Sequence, residues 1–401
     1  MHTHATLLIE IGGVVLALGV LGRLATAVGL SAVPLYLVAG LAFGRGGLLP
    51  LGTSSTFLST GADIGVVLLL LTLGLEYSAD ELVGTLRRSA PAGVVDMLLN
   101  ATPGLAAGLL LGLGPLAAIA LAGSTWVSSS GIASKLIGDL GWIKRRETPA
   151  VLGVLVLEDL AMAVYLPVMT TVAAGVGVAT GVLRVGVALG VLAVVMVVAL
   201  RWGDRLSSLV RGRGPHGAKD EVLLLVVLGL GLLVAGLAEQ TGVSAAVGAF
   251  LVGIALSGPV AHSARSLLAP LRDLFAAVFF VFFGLRTDPA TLVDVLVPGL
   301  ALAVIGVAGK LGTAWIATRR QGLSRVARLR AGVLLTPRGE FSIVVAGLAV
   351  AAGADARLGA LVAVEVLLLA TIAPLVAHLF QRHDERMRLV REDRVGAGVA
   401  A

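Results

Sequence analysis

The 401-residue chain contains no cysteine. Disulfides, thiolate metal sites and cysteine nucleophiles are therefore excluded together. Charge is scarce as well: Asp, Glu, Lys and Arg make up 13% of the residues, where a soluble globular domain carries roughly 25%. Aromatic residues are 4%. No phosphate-binding loop, hydrolase elbow or metalloprotease motif occurs, so a catalytic nucleophile lacks support. His2 and His4 read as a polar lead-in to the first apolar run, because two ligands do not close a zinc site. Neither a cofactor nor a resident metal is expected.

What the chain does have is apolar length. Hydrophobic residues are 57% of the total and the mean hydropathy is +1.00. Crossing a hydrocarbon core roughly 30 Å thick takes about 20 apolar residues, and such runs recur here with short polar breaks. The expected fold is an all-α polytopic membrane protein. Spans are expected near residues 6–22, 28–44, 55–75, 90–112, 115–136, 149–172, 181–201, 221–238, 242–257, 268–284, 293–316, 328–351 and 358–380, about thirteen in all. The 53 glycines, set among Ala, Leu and Val, suit close helix contacts in lipid. No cleavable leader is evident, because the first run lacks a basic region before it.

The pI near 10.3 could suggest a nucleic-acid partner, but the positive charge is scattered between apolar runs. Topology accounts for it better. Cytoplasmic loops carry the excess Lys and Arg. With the C-terminus placed inside, one alternating set of loops and ends holds 24 of the 30 basic residues, including "KLIGDLGWIKRR", "RRQGLSRVARLR" and the "QRHDERMRLVREDR" tail. The opposite set holds Arg45, Arg184, Arg286 and Arg357, leaving Lys310 and Arg338 inside spans. The expected orientation is N-terminus outside and C-terminus cytoplasmic.

An internal repeat is also expected. Asp63 precedes Gly74 by the same interval as Asp273 precedes Gly284, an offset of 210. Carried forward, that offset sets Lys310 opposite Asn100, and "TPRGEFS" opposite "WVSSSGI". Seven spans separate the copies, so the second is inverted relative to the first. The expected units are a first repeat at about 6–172, a linker helix at about 181–201, an inverted second repeat at about 221–380 and a short cytoplasmic tail, 381–401. Two interrupted, polar-centred segments in corresponding positions point to a midplane binding site.

The stretch "GVLVLEDLAMAVYLPV" places Glu158 and Asp159 mid-span. An ionisable residue at a helix centre costs roughly 2.5–3.5 kcal/mol on insertion scales and by default marks an ion pathway. Neighbours on a helix are rotated by about 100°, so the two acids serve different contacts. Such a pair can hold a proton or a cation, and the two compete near neutral pH. Lys310 lies too deep to snorkel and needs a carboxylate, for which Glu158 is the candidate. Ser128 and Ser129, in "STWVSSSGI", would offer oxygens from an unwound helix. Pro337 and Gly339 would break a second helix, with Arg338 and Glu340 placed to neutralise its exposed ends. Glu76 and Asp80 read as a solvated span end, and Glu365 as structural.

Six segments in order, "LLLTLGLEYSADEL", "WVSSSGI", "LGVLVLEDLAMAV", "FFVFFGLRTDP", Lys310 and "TPRGEFS", resemble the monovalent cation/proton antiporter superfamily, in particular its Kef-type potassium/proton branch. The resemblance implies two inverted repeats with crossed discontinuous helices, a dimerisation domain and a mobile core domain. It implies that Asp159 is the ion-binding aspartate and that Lys310 pairs with the acid preceding it. That preceding acid is Glu158, where relatives carry Asp or Gln, which leaves K⁺ against Na⁺ open. It further implies a homodimer in a bacterial inner membrane, with K⁺ or Na⁺ and H⁺ as substrates. Nucleotide regulation would require a separate soluble subunit. Rival readings are a gated potassium channel and a sodium-coupled organic-anion symporter on the same fold.

Overall fold

The computed structural model describes residues 2–27, 32–44, 55–75, 79–173, 186, 190, 220–240, 245–256 and 258–399. Fourteen α-helices and no strand occur among them. They are α1 (His2–Ala27), α2 (Val33–Phe43), α3 (Ser55–Gly74), α4 (Ala79–Leu110), α5 (Pro115–Trp126), α6 (Ser130–Asp139) and α7 (Thr148–Ala173). The second half supplies α8 (Asp220–Gln240), α9 (Ala245–Ala255), α10 (Gly258–Arg286), α11 (Pro289–Ala317), α12 (Arg325–Leu335), α13 (Glu340–Ala351) and α14 (Arg357–Val399). Eight segments are long and apolar enough to cross a membrane. The chain is a multi-pass membrane protein.

Segments 115–136 and 328–351 are each divided into two short helices, the interruptions expected from the serine cluster and from Pro337 and Gly339, because a non-helical stretch breaks the hydrogen-bond ladder. One difference from the expected spans is that the last helix runs on through the polar tail to Val399. The expected linker helix, 181–201, lies outside the described residues apart from 186 and 190.

Helix starts recur at a fixed interval. Ala79 and Pro289, Pro115 and Arg325, and Ser130 and Glu340 open helices in pairs, each pair 210 residues apart. Packing falls into two groups, with α2, α3, α8, α9 and α10 in one, and α4, α5, α7, α11, α12, α13 and α14 in the other. In the first group, backbones touch at glycine. A Cβ on Gly74 would lie 2.9 Å from the Cα of Gly253, and one on Gly40 would lie 2.8 Å from that of Gly284. Only a missing side chain permits this approach, the small-residue contact that drives helix association in lipid. Large apolar side chains point outward instead, as along α11 with Val293, Val297 and Val304. In a bilayer that face meets acyl chains, while the backbone bonds itself within each helix.

A candidate ion site at the crossing of two broken helices

The first broken helix is α5/α6. Val127 (φ −74°, ψ 131°) and Ser129 (φ −85°, ψ 102°) are extended, and α6 restarts with Ser129 as its N-cap, accepting from the Ile132 N–H at 3.3 Å. The second is α12/α13, interrupted at Thr336–Gly339, where Pro337 has no N–H to continue a helix. The two breaks meet. Ser129 N–H donates to the Pro337 carbonyl at 2.7 Å, and Ser128 Oγ to the Leu335 carbonyl at 2.7 Å. Ser124 and Ser342 exchange hydroxyl-to-carbonyl bonds of 3.0 and 2.8 Å. Interrupted helices leave donors and acceptors unpaired. Here each helix answers part of the other's deficit.

The remaining ends are met by charge. Arg338, fully buried, donates to the Thr125 carbonyl at 2.5 Å and reaches the Thr336 carbonyl at 3.4 Å, at the C-terminal ends of α5 and α12. Its Nε stands 3.5 Å from Glu365 Oε1. Glu340 opens α13 and accepts from Ser129 Oγ at 2.9 Å, at the N-terminal ends of α13 and α6. A cation thus lies on two helix C-termini and an anion on two N-termini, the favourable sense of each dipole.

Glu158 and Asp159 project from α7 in different directions, as a 100° rotation per residue requires. Both are buried. Glu158 accepts from the Ser128 backbone N–H and from Lys310 Nζ, the latter at 2.9 Å. Asp159 Oδ1 lies 3.4 Å from Ser130 Oγ. Ser130 in turn lines a cavity of about 640 Å³, together with Ser129, Glu340, Thr72, Arg272 and Asp273 among others. The cavity runs between the two helix groups, and Asp159 sits one hydroxyl behind its wall.

Lys310 has a partner that the sequence reading missed. Its Nζ lies 2.8 Å from Asp96 Oδ1, on α4, as well as 2.9 Å from Glu158. Asp96 sits in "VVDMLLN", inside the expected span 90–112, and an acid within a span was itself the available signal. A second buried pair, Arg330 with Glu147 at 2.7 Å, also went unnoticed; it ties α12 to the turn before α7, beside Trp142. Glu365 is Arg338's neighbour. Glu76 lies outside the described residues, as does the side chain of Asp80.

Residues 13–380 match the sodium/hydrogen exchanger transmembrane family. Over 92% of both chains, the sequence is 32% identical to the K(+)/H(+) antiporter subunit KhtU of Bacillus subtilis. It is 30% identical to the ammonium/H(+) antiporter subunit AmhT of Alkalihalophilus pseudofirmus, over 85% of this chain and 86% of that one. It is 32% identical to the glutathione-regulated potassium-efflux protein KefC of Klebsiella pneumoniae, covering 87% of this chain and 55% of that one. Among solved structures, the sodium proton antiporter MjNhaP1 of Methanocaldococcus jannaschii at pH 8 aligns with a TM-score of 0.65 at 16% identity, over 94% of this chain and 98% of that one. That likeness shows the fold. Crossed broken helices, a paired acid on α7 and sequence identity along nearly the whole length converge: the chain belongs to the sodium/hydrogen exchanger family of cation/proton antiporters, on its Kef-type branch.

Proposed function

We propose that this antiporter exchanges K⁺, ahead of Na⁺, for protons by alternating access, with Asp159 binding either the cation or the proton. The observation that carries the reading is the position of Asp159: buried, and one serine hydroxyl from a cavity of about 640 Å³. A single carboxylate at such a place cannot hold both ions. Cation binding favours the ionised form and so expels the proton, and protonation expels the cation. Coupling follows from that exclusion.

Ser128 and Ser129, with Ser130 beside them, supply neutral oxygens around the site. Glu158 pairs with Lys310 and sets the local charge, while Arg338 and Glu340 hold the broken helices together. The preference for K⁺ rests on the names of KhtU and KefC; AmhT keeps ammonium in view as a third monovalent cation of similar size. The recurrence of helix starts at 210 supports two repeats, about 6–172 and 221–380, which we read as inverted and joined by a linker helix outside the described residues. The basic-loop count supports an N-terminus outside and a C-terminus in the bacterial cytoplasm. Exposed Ile9, Leu16 and Leu24 on α1 offer an apolar face for a homodimer. KhtU and AmhT are each described as an antiporter subunit, which supports a separate subunit as a regulatory partner.

The test is a proteoliposome assay in which a lumenal pH dye reports proton movement on addition of K⁺, Na⁺, NH₄⁺ or Rb⁺. Proton release with K⁺ in wild type and none in Asp159→Asn is expected. A wild-type protein that moves no protons with any of these cations overturns the reading. Cation flux without proton movement would instead favour the channel, which needs an open multi-site path in place of a single buried carboxylate.

A further inference from the structure

Lys310 stands between two acids from two different helices. Its Nζ lies 2.8 Å from Asp96 Oδ1 on α4 and 2.9 Å from Glu158 Oε1 on α7, and all three side chains are at most 1% exposed. The acids are held differently. Asp96 Oδ1 also accepts from Thr313 Oγ1 at 2.9 Å and Asn100 Nδ2 at 3.0 Å, and Oδ2 accepts from Trp126 Nε1 at 2.9 Å. An indole N–H and an ammonium can only donate, so this surrounding suits a carboxylate, which only accepts. Every one of these partners comes from α4, α5 or α11.

Glu158 has a different anchorage. Beyond Lys310 it accepts from the Ser128 N–H, which belongs to the extended break between α5 and α6. Ser128 Oγ lies 3.2 Å from Glu158 Oε1, but its single proton has the better acceptor in the Leu335 carbonyl at 2.7 Å. Glu158 is therefore held only by the break itself and by Lys310, whereas Asp96, besides its bond from Trp126 at the end of α5, is tied to Lys310's own helix through Thr313. Two further buried charges, Arg338 and Glu365, pair with each other beside Gly306 of α11.

We propose that Asp96 is the standing counter-ion of Lys310, keeping the ammonium charged through the whole transport cycle. Lys310 then carries no proton across, and exchange is one cation for one proton at Asp159. This inference rests on the antiport reading above and supplies its stoichiometry. If the α5/α6 break shifts and Glu158 leaves Lys310, the ammonium is not stranded in a dry interior, because Asp96 remains. With both acids ionised the cluster carries one net negative charge, which draws a cation or a proton to Asp159. Asp96 and Lys310 are thus positioning residues that touch neither transported ion.

The experiment measures the zero-flux cation gradient in proteoliposomes at a fixed pH gradient, with the membrane potential set by thiocyanate. One-for-one exchange moves no net charge, so the wild-type zero-flux ratio should not follow the potential. One cation for two protons would shift it tenfold for each 59 mV or so. Asp96→Asn should make the ratio follow the potential and displace the pH profile of transport, neither of which a purely structural role would do. Asp96→Glu should keep both as in wild type.

A wild-type ratio that follows the potential overturns the proposal. So does an Asp96→Asn protein that transports with wild-type potential independence and pH profile. If Asp96→Asn fails to fold, Asp96→Glu decides: wild-type behaviour supports the proposal and a displaced pH profile overturns it. Absence of any cation-driven proton movement in wild type would mark failure of the antiport reading itself, a different result from potential-sensitive transport.

Discussion

Ser129 Oγ donates to Glu340 Oε2 at 2.9 Å, joining residues 211 positions apart at the N-terminal ends of two half-helices. Each end presents unpaired N–H groups and a positive partial charge, and one carboxylate serves both. Glu340→Gln keeps the hydrogen bond and removes the charge. It should lower stability by roughly 1 kcal/mol and weaken cation binding. Paired measurements of thermal unfolding in lipid and of the cation KM check this. Unchanged values of both would remove Glu340 from the site's electrostatics.

Asp159→Asn should fold, bind lipid and elute as wild type does, yet lose cation-driven proton release by at least about 100-fold, since an amide cannot titrate. Initial rates from the lumenal dye provide the comparison. Retained exchange would move the carrier role to another acid.

Lys310→Met leaves Asp96 and Glu158 facing each other in a buried site without a cation. Removing one partner of a buried pair costs about 3–5 kcal/mol. Because the residues share one network, the double variant Lys310→Met/Asp96→Asn should recover part of that loss. A double-mutant cycle on unfolding in detergent reads the coupling. Strict additivity would contradict the contact.

Gly284→Val drives a side chain into the backbone of α2 at Gly40, while Gly229→Val enters open space on α8. Overpacking of this kind costs on the order of 1–3 kcal/mol and occasionally more, whereas the Gly229 change should stay within about 0.5 kcal/mol. Thermal unfolding of the two variants side by side tests the glycine contact. Equal stability would show that the helices can separate freely there.

Much of the site could be read before any coordinate. Glu158, Asp159, Lys310 and Arg338 stand out because each is a charge in an apolar run, and such runs make every exception conspicuous. The two breaks were legible because Pro337 and Gly339 interrupt one run and a serine cluster the other. Asp96 was overlooked although the same signal marks it. It stands without a second acid beside it, and Pro91 and Gly93 before it leave the helix unbroken. Glu147 and Arg330 escaped for a different reason: both sit beside basic loops, where a charge looks solvated, and only the packing of α12 on the turn before α7 buries them.

By itself the sequence determined the class of molecule, the approximate spans, the interruption of two of them and the acids within them. Those follow from hydropathy, length and backbone chemistry, which act locally along the chain. Which charges meet was decided only by tertiary structure. Lys310 is 214 residues from Asp96 and 152 from Glu158, and Arg338 is 213 from the Thr125 carbonyl it binds. A dry interior gives each buried charge a strong need for a partner without saying which. The packing of α4, α5, α7 and α11 around the α12/α13 break makes the choice.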